Sequence, residues 1–200
     1  MEHALCFFAD RPRVGKDYLA SVLMDMGFLR VAFADALYEE VASGFGVPVS
    51  YLQEPRRKDL PQSCLRADFC SDPDFAALLK KLGKVGLLSP REAVQTWGTE
   101  YRREQDDGYW VNRARCTIRK VKPEKVLFTD PRFLNEFVYA EQLGCEFWKI
   151  IPAGPESFVP SSGTGHVSNM VGQWWVPDRL LLNVFGSSIA ENVLRETFKS

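Results

Sequence analysis

Gly15, Lys16 and Asp17 lie where an apolar segment gives way to a helix-forming one. Residues 4–8 have the apolar, β-forming composition of a short buried strand, and residues 16–26 carry apolar side chains at helical spacing. A Gly-Lys pair at such a junction is typical of a phosphate-binding loop, because glycine lets backbone N–H groups approach an anion and lysine adds a compact positive charge. The chemistry expected here is the binding of a nucleoside triphosphate.

This loop departs from the usual pattern at two positions. Asp10 stands where the first glycine is usual, and Asp17 stands where serine or threonine usually follows the lysine. A carboxylate at the mouth of an anion site repels phosphate, and two unit charges about 4 Å apart interact by about 4 kcal/mol at an effective dielectric of about 20. Arg11 and Arg13 flank Asp10 and could offset that repulsion. The motif alone fits either a nucleotide site or a strand–turn–helix with a chance Gly-Lys pair.

Length, charge and cysteine content narrow the class of protein. The chain has 200 residues, enough for one domain with a sizeable core, and its formal net charge of −1 argues against a nucleic-acid binder, which is usually basic. The 5 cysteines form no Cys-x-x-Cys pair, which indicates reduced, intracellular usage. No signal peptide or membrane-spanning apolar run is recognisable. We therefore expect a protein of the cytoplasm, the host cell's if it is viral, with no membrane partner.

Strand and helix signals alternate along the chain. The candidate strands are residues 4–8, 29–33, 125–129, 147–151 and 180–184, and the clearest helices are residues 16–26, 36–44, 131–143 and 188–198. This alternation predicts an α/β fold, a parallel sheet of about five strands with helices on both faces. We expect a single domain over residues 1–200 with a helical insertion at about 47–123, over the sheet edge where such folds bind ligands. Residues 153–172 form either a mobile flap or a surface loop.

Three polar sites near predicted strand ends or helices could serve a nucleotide. Asp35, after the second strand, would face the same cleft as Lys16 or would simply cap a helix. Arg57 and Lys58 could grip an anionic substrate or belong to an ordinary solvated charge run. Asp130 ends an apolar strand, where nucleotide-binding enzymes place a Mg²⁺-linked carboxylate, although it could also cap the next helix. Arg132 lies beside it and could balance phosphate charge.

A further polar cluster falls within a few predicted helical turns, at residues 95–103. Its amide, hydroxyl, carboxylate and two guanidinium groups belong to Gln95, Thr99, Glu100, Arg102 and Arg103. Such a set can recognise a base or sugar and clamp phosphate through bidentate hydrogen bonds. The alternative is a polar helix face with Trp97 in the core.

Several motifs occur in an order that resembles one enzyme family. They are Gly15-Lys16-Asp17, Phe33-Ala34-Asp35, QTWGTE at residues 95–100 with Arg102 and Arg103, Trp110-Val111, and TDPRF at residues 129–133 with Asn135-Glu136. Together they resemble the bacteriophage deoxynucleoside monophosphate kinases, which characteristically have Gly-Lys-Asp in the phosphate-binding loop. The likeness covers about residues 4–195 and includes residues 165–168, Asp178, Asn183 and Gly186. Asp10 and Asn169 depart from the family pattern, and animal phosphomevalonate kinases share its loop.

The resemblance implies a P-loop kinase fold of the nucleoside monophosphate kinase type, with a helical lid and substrate-binding insertion. The implied reaction transfers the γ-phosphoryl group of ATP to a deoxynucleoside 5′-monophosphate, with Mg²⁺ as cofactor. ATP would be bound by Arg13, Val14, Gly15, Lys16, Asp17 and Tyr18. Mg²⁺ would be positioned by Asp17 and Asp130. The acceptor nucleotide would be bound by Asp35, Arg57, Lys58, Gln95, Gly98, Thr99 and Glu100. The catalytic cations would be Lys16, Arg102, Arg103 and Arg132.

Three other functions stay open at the level of the sequence. A kinase of the same type could act on another phosphorylated small molecule or on a modified base in DNA, which only the basic residues between 113 and 125 favour. A non-catalytic nucleotide-binding protein would follow if Asp10 prevents ATP use. A plain interaction module would use Trp174-Trp175 as a docking patch, and exposed tryptophans would also suit a homodimer.

Overall fold

The computed structural model describes residues 1–10, 13–153 and 174–199. They belong to two compact units. The sheet unit consists of Met1–Phe33 with Ala114–Ser200, and the helical unit consists of Ala34–Arg113.

The described residues of the sheet unit form five parallel strands, as the alternating pattern predicts. The strands are β1 (His3–Phe8), β2 (Leu29–Val31), β3 (Lys125–Phe128), β4 (Glu146–Ala153) and β5 (Arg179–Val184). Their order in the sheet is β2-β3-β1-β4-β5. Because every pair is parallel, the carboxyl ends of all strands lie along one edge, and the residues that follow β1 and β3 meet there.

Helices supply the rest of the regular structure that the chain shows. They are α1 (Lys16–Asp25), α2 (Phe33–Phe45), α3 (Val49–Gln53), α4 (Pro73–Lys81), α5 (Pro90–Gln95), α6 (Tyr109–Val121), α7 (Leu134–Gln142) and α8 (Ile189–Thr197). A short 3₁₀ turn covers Ala67–Phe69, and a π-helical stretch, Thr96–Arg103, continues α5. Of the helices described, none is long and apolar enough to cross a bilayer.

Alternation along the strands gives the sheet two apolar faces. Leu5 and Phe7 of β1 belong to a buried cluster with Leu19 and Leu23 of α1 and Leu194 of α8. The intervening residues face the other way, where the ring of Phe8 packs edge-on against Phe137 of α7, with centroids 5.6 Å apart. Helices therefore flank the sheet on both faces, as expected for strands buried on both sides.

Two predicted helix starts are wrong by a few residues, for the same physical reason. The helix predicted from residue 36 begins at Phe33, whose N–H donates to Asp130 Oδ1 at 2.7 Å, and the second strand accordingly ends at Val31 rather than residue 33. The helix predicted from residue 131 begins only at Leu134. Glu136 Oε2 accepts the N–H of Arg132 at 2.7 Å, so this backbone stays outside the helix. In both cases a carboxylate satisfies the N–H groups at a helix start.

The helical unit has its own core, centred on aromatic rings. Phe75 of α4 lies against Trp97, with ring centroids 4.4 Å apart, and both are almost fully buried. Asp72 caps α4 by accepting the Phe75 N–H at 2.9 Å, and Pro73 follows at the first helical position. Trp97 therefore lies in a core, as expected if residues 95–103 form a polar helix face with Trp97 packed inside.

Candidate functional site

In the described part of the loop after β1, residues 13 and 15 have left-handed backbone. Arg13 has φ of 62° and Gly15 has φ of 82°. Glycine adopts this conformation freely, whereas for arginine it costs about 1–2 kcal/mol. Gly15 is the N-cap of α1 and has no side chain, so the first-turn N–H groups of α1 depend on other partners. Such a turn before a helix is a concave set of donors that suits an anion.

Lys16 is a cation of this loop, and burial and neighbouring charges shift its pKa. Burial lowers the pKa of Lys16 from the ordinary value of 10.5, while the negative charges of Asp130 and Asp17 act in the opposite direction and the positive charge of Arg132 again lowers it. The structure thus brings together four of the residues selected from the sequence. Lysines of this kind, partly desolvated among carboxylates, are common in functional sites.

Asp130 anchors one side of the site. Its Oδ1 holds the Phe33 N–H, and its charge also acts on Lys16 and on the buried thiol of Cys6. It follows Thr129, which is 1% exposed and whose Oγ1 has no hydrogen-bond partner among the described residues. A buried hydroxyl without a partner is uncommon, and here it lies at the carboxyl end of β3, beside the candidate anion site.

Asp17 and Asp130 fit the chemistry of a Mg²⁺ site. Both carboxylates act on the same ammonium, and hard oxygen donors are the ligands that Mg²⁺ prefers. Within the described ranges, no group of three or more His, Cys, Asp or Glu side chains is arranged to hold a metal. Mg²⁺ is usually held by one or two carboxylates together with water and substrate phosphates, so two carboxylates are sufficient for that arrangement.

Asp10 has a partner that the sequence interpretation missed. Lys149 of β4 places its Nζ 2.8 Å from Asp10 Oδ1. Lys149 is level with Phe8, the last residue of β1, so its side chain reaches the residue that follows the strand. Arg11, expected to offset Asp10, lies outside the described residues. The lysine inside the apolar run 147–151 could have indicated this contact, because a lysine on a buried strand needs an acidic partner.

In the helical unit, Arg102 is held by the residues around it. Its Nε donates to Glu40 Oε2 at 2.9 Å, and Glu40 also accepts the Trp97 indole N–H at 3.0 Å and the Tyr109 hydroxyl at 2.5 Å. The guanidinium carbon lies 4.6 Å from the centre of the Tyr101 ring and 5.2 Å from that of Tyr109. Sequence reasoning missed Glu40 because its partners are 57–69 positions away.

Two neighbours of Arg102 also have structural contacts. Arg103 is buried and its Nη1 donates to the Asp107 carbonyl at 3.1 Å. Gly98 provides close packing, because a Cβ there would meet Leu37 Cδ2 at 2.9 Å. Its carbonyl accepts the Trp110 indole N–H at 3.1 Å.

The other candidate acceptor residues are spread over the helical unit. Glu100 is half-buried and its Oε2 has no hydrogen-bond partner within the part of the chain described. Gln95 and Thr99 are half-buried nearby on the same helical stretch, and Asp35 lies in the first turn of α2, so it is not that helix's N-cap. Arg57 stacks over the Tyr51 ring at 4.7 Å. The structure does not bring Arg57 into a hydrogen-bonded group with residues 95–100 in the contacts described.

Lys58 and Tyr18, two remaining candidates, make contacts of an ordinary kind. The Lys58 carbonyl accepts the Arg91 N–H at 3.0 Å. The exposed Tyr18 hydroxyl donates to Glu191 of α8 at 2.7 Å. This bond joins the first turn of α1 to α8.

A cavity of about 430 Å³ opens on the helical unit. It is lined by Glu40, Ser43, Gly44, Ser71, Asp72, Pro73, Asp74, Trp97 and Arg102. Its size falls in the range of small-molecule sites. The Glu40 and Asp72 carboxylates in its wall already accept bonds from Tyr109 and Tyr101, so the groups left to a ligand are few.

The tryptophan pair that an interaction module would use as a docking patch divides between two environments. Trp174 is 79% exposed, whereas the Trp175 ring packs 5.0 Å from Phe137 and 5.1 Å from Phe147 on the α7 face of the sheet. Trp175 is thus half-buried against the aromatic rings of this face. The flap proposed at 153–172 and the family-like residues 165–168 fall, apart from Ala153, outside the described residues.

Comparison with known proteins assigns the chain to no family. No family model matches it, and no curated protein matches significantly. The case for a function therefore comes from the site itself and from the resemblance of its motifs.

Proposed function

We propose that this protein is an ATP-dependent kinase that phosphorylates a deoxynucleoside 5′-monophosphate to the diphosphate. The observation that carries the proposal is the position of Lys16. It is the first residue of α1, directly after a glycine with left-handed backbone, and the charges of Asp130, Asp17 and Arg132 act on its ammonium group. A lysine among carboxylates at a helix N-terminus is suited to binding a polyphosphate–metal complex. The order of the motifs supports a monophosphate as acceptor.

Each group of the site has a role in this reaction. An oxygen of the acceptor phosphate forms a bond to the γ-phosphorus of ATP as the bond to the leaving oxygen of ADP breaks. Lys16 and the Gly15 N–H bind the phosphates and stabilise charge that moves toward the leaving group. Mg²⁺, held through Asp17 and Asp130, would neutralise charge on the phosphate oxygens. The protein's main task is alignment and exclusion of water.

Arg132 is the best placed of the three candidate arginines to contact the transferring phosphoryl group. It is exposed, and its charge acts on Lys16. Arg102 and Arg103 instead bind Glu40 and the Asp107 carbonyl within the helical unit. An arginine committed to such bonds is less available to a ligand than an exposed one. We assign Arg102 to the support of the helical unit and Arg132 to phosphate.

The test is a transfer assay with a mixed panel of deoxynucleoside monophosphates. The protein is incubated with ATP and Mg²⁺, and mass spectrometry identifies any diphosphate product. We expect product formation by the wild type, loss of it in Lys16→Ala with an unchanged melting curve, and full retention in Lys120→Ala, which removes an exposed lysine of α6.

Three outcomes of this assay and of a parallel ATP-binding measurement would overturn the proposal. Turnover by Lys16→Ala close to that of the wild type would remove the role of the loop. ATP consumption only with another phosphorylated small molecule or with DNA would keep a kinase but assign it another acceptor. Binding of ATP without any transfer would leave a nucleotide-binding protein.

A further inference from the structure

Asn183 connects the outermost strand to the candidate anion-binding loop. It lies on β5, which β4 separates from β1, and its side chain is buried, with 5% of the residue exposed. Its Nδ2 donates to the Val14 carbonyl at 2.8 Å. Val14 is itself only 3% exposed. This is a buried hydrogen bond between residues 169 positions apart, and it ends on the peptide group that leads into Gly15.

The position of that bond determines where the next N–H points. The described part of the chain contains no cis peptide, so the Val14 carbonyl and the Gly15 N–H belong to one planar trans peptide group. In such a group the C=O and N–H bonds point in opposite directions. Asn183 holds the carbonyl on its own side, so the Gly15 N–H is directed away from Asn183.

Asn183 also explains why residue 15 is glycine, beyond its φ of 82°. A Cβ at Gly15 would overlap the Asn183 amide nitrogen and would lie 3.5 Å from Phe185 Cε1. The loop and the end of β5 are therefore packed directly against each other. A side chain at position 15 would push the Asn183 amide off the Val14 carbonyl.

We propose that Asn183 is a positioning residue for the loop, which aims the Gly15 N–H at the phosphate groups of a nucleoside triphosphate. The inference rests on the proposed function, because it takes the loop to bind polyphosphate. Asparagine suits this place because its amide donates to a carbonyl without introducing charge. A carboxylate of the same shape would face the Val14 carbonyl with an oxygen and repel it.

The substitution Asn183→Asp tests this with almost no change in volume, and Asn192→Asp is the matched control, the same chemical change at an exposed position of α8. Calorimetric titration with ATP–Mg²⁺ and with inorganic tripolyphosphate measures affinity. At about pH 8 we expect Asn183→Asp to weaken both by about tenfold or more, because a hydrogen bond is replaced by repulsion. The control should match the wild type.

A pH series separates positioning from general damage to the fold. When the carboxyl introduced by Asn183→Asp is protonated, its O–H can donate to the Val14 carbonyl again. The ordinary pKa of an aspartate is about 3.9, and burial at this position would raise it, so the ratio of variant to wild-type dissociation constant should fall toward one as the pH is lowered to about 4. A purely structural defect would keep this ratio constant, which would overturn the proposal, as would unchanged affinity at about pH 8.

An NMR measurement on the wild type keeps the proposal testable if the variant does not fold. The Gly15 amide resonance should move on addition of tripolyphosphate more than the amides in the last turn of α1. A stationary Gly15 amide in a protein that binds the anion would refute the positioning role alone. Absence of polyanion binding by the wild type would overturn both this inference and the proposed function, whereas binding without phosphoryl transfer would overturn only the kinase.

Discussion

Replacing Glu40 by alanine should remove the acceptor shared by Trp97, Arg102 and Tyr109. The side chains of Arg102 and Glu40 are 21% and 15% exposed, so their bond is largely withdrawn from water. A hydrogen bond to a charged group contributes about 1.5–3 kcal/mol, and a donor left unsatisfied costs about 1–3 kcal/mol. These terms overlap, and water can reach part of the site. We therefore expect unfolding of the helical unit to become easier by about 3 kcal/mol.

Urea unfolding followed by tryptophan fluorescence provides the assay, because the Trp97 indole is bonded to Glu40. The control is Glu39→Ala, a neighbour on α2 that is exposed, and it should change the unfolding free energy by less than about 0.5 kcal/mol. Glu40→Gln keeps the volume and the oxygen that can accept from Trp97 and Arg102, but its amide nitrogen replaces the oxygen that accepts the Tyr109 hydroxyl. It should lose about 1–2 kcal/mol, because the charge pairing with Arg102 disappears while the Tyr109 hydroxyl can turn to accept from the amide.

The reasoning would be refuted if Glu40→Ala cost less than about 1 kcal/mol, or no more than Glu39→Ala. A double-mutant cycle with Arg102→Met isolates the pair, and we expect a coupling energy of about 1–3 kcal/mol. Zero coupling would mean that Glu40 does not hold the guanidinium in solution. Arg102 would then return to the candidates for phosphate contact.

Three further predictions concern the loop and its carboxylates. Asp17→Asn and Asp130→Asn should each raise the Mg²⁺ concentration needed for half-maximal rate. An unaltered Mg²⁺ dependence in both variants would contradict the metal role. In Asp130→Asn the side-chain oxygen can still accept the Phe33 N–H, so the fold should persist. Asp10→Gly should tighten ATP binding and Lys149→Met should weaken it, each by about fivefold for a charge interaction near 1 kcal/mol, and calorimetry showing shifts of the opposite sign would refute this electrostatic account. Burial lowers the pKa of Lys16 from its ordinary value, so the ammonium loses its proton earlier as the pH is raised. ATP affinity should therefore already decline, with rising pH, before pH 10.5 is reached, and Lys16→Arg should move that decline to higher pH.

The strands could be predicted from the sequence because burial on both faces leaves a strong local signal. Runs such as residues 125–129 are apolar without interruption, and each predicted strand lies within a few residues of an observed one. Helix starts were less predictable. The start of α2 depends on the Asp130 carboxylate, which is 97 positions away from Phe33. No local pattern records such a contact.

The residues gathered around Lys16 were predictable where they lie at a strand end or a strand–helix junction. Gly15 and Lys16 lie at a strand–helix junction, and that junction is visible as a change of period. Lys149 and Asn183 reach the loop through the order of the strands, which composition does not reveal. The role of Glu40 as a shared acceptor was missed because a carboxylate on an amphipathic helix normally faces solvent.

Asp10 departs from the usual loop pattern and Lys149 interrupts an apolar strand, and their ion pair accounts for both. The glycine of the usual loop pattern is not required at position 10, because among the described non-glycine residues positive φ occurs at Arg13 and Lys122. The charge of Asp10 is met by Lys149, whose strand register places it beside the end of β1. An ion pair this close leaves little net charge at a distance, so phosphate near Lys16 experiences mainly the lysine's own field. The carboxylate that Asp10 introduces is thus balanced by the ammonium of Lys149 within the sheet unit, and it is compatible with an anion site.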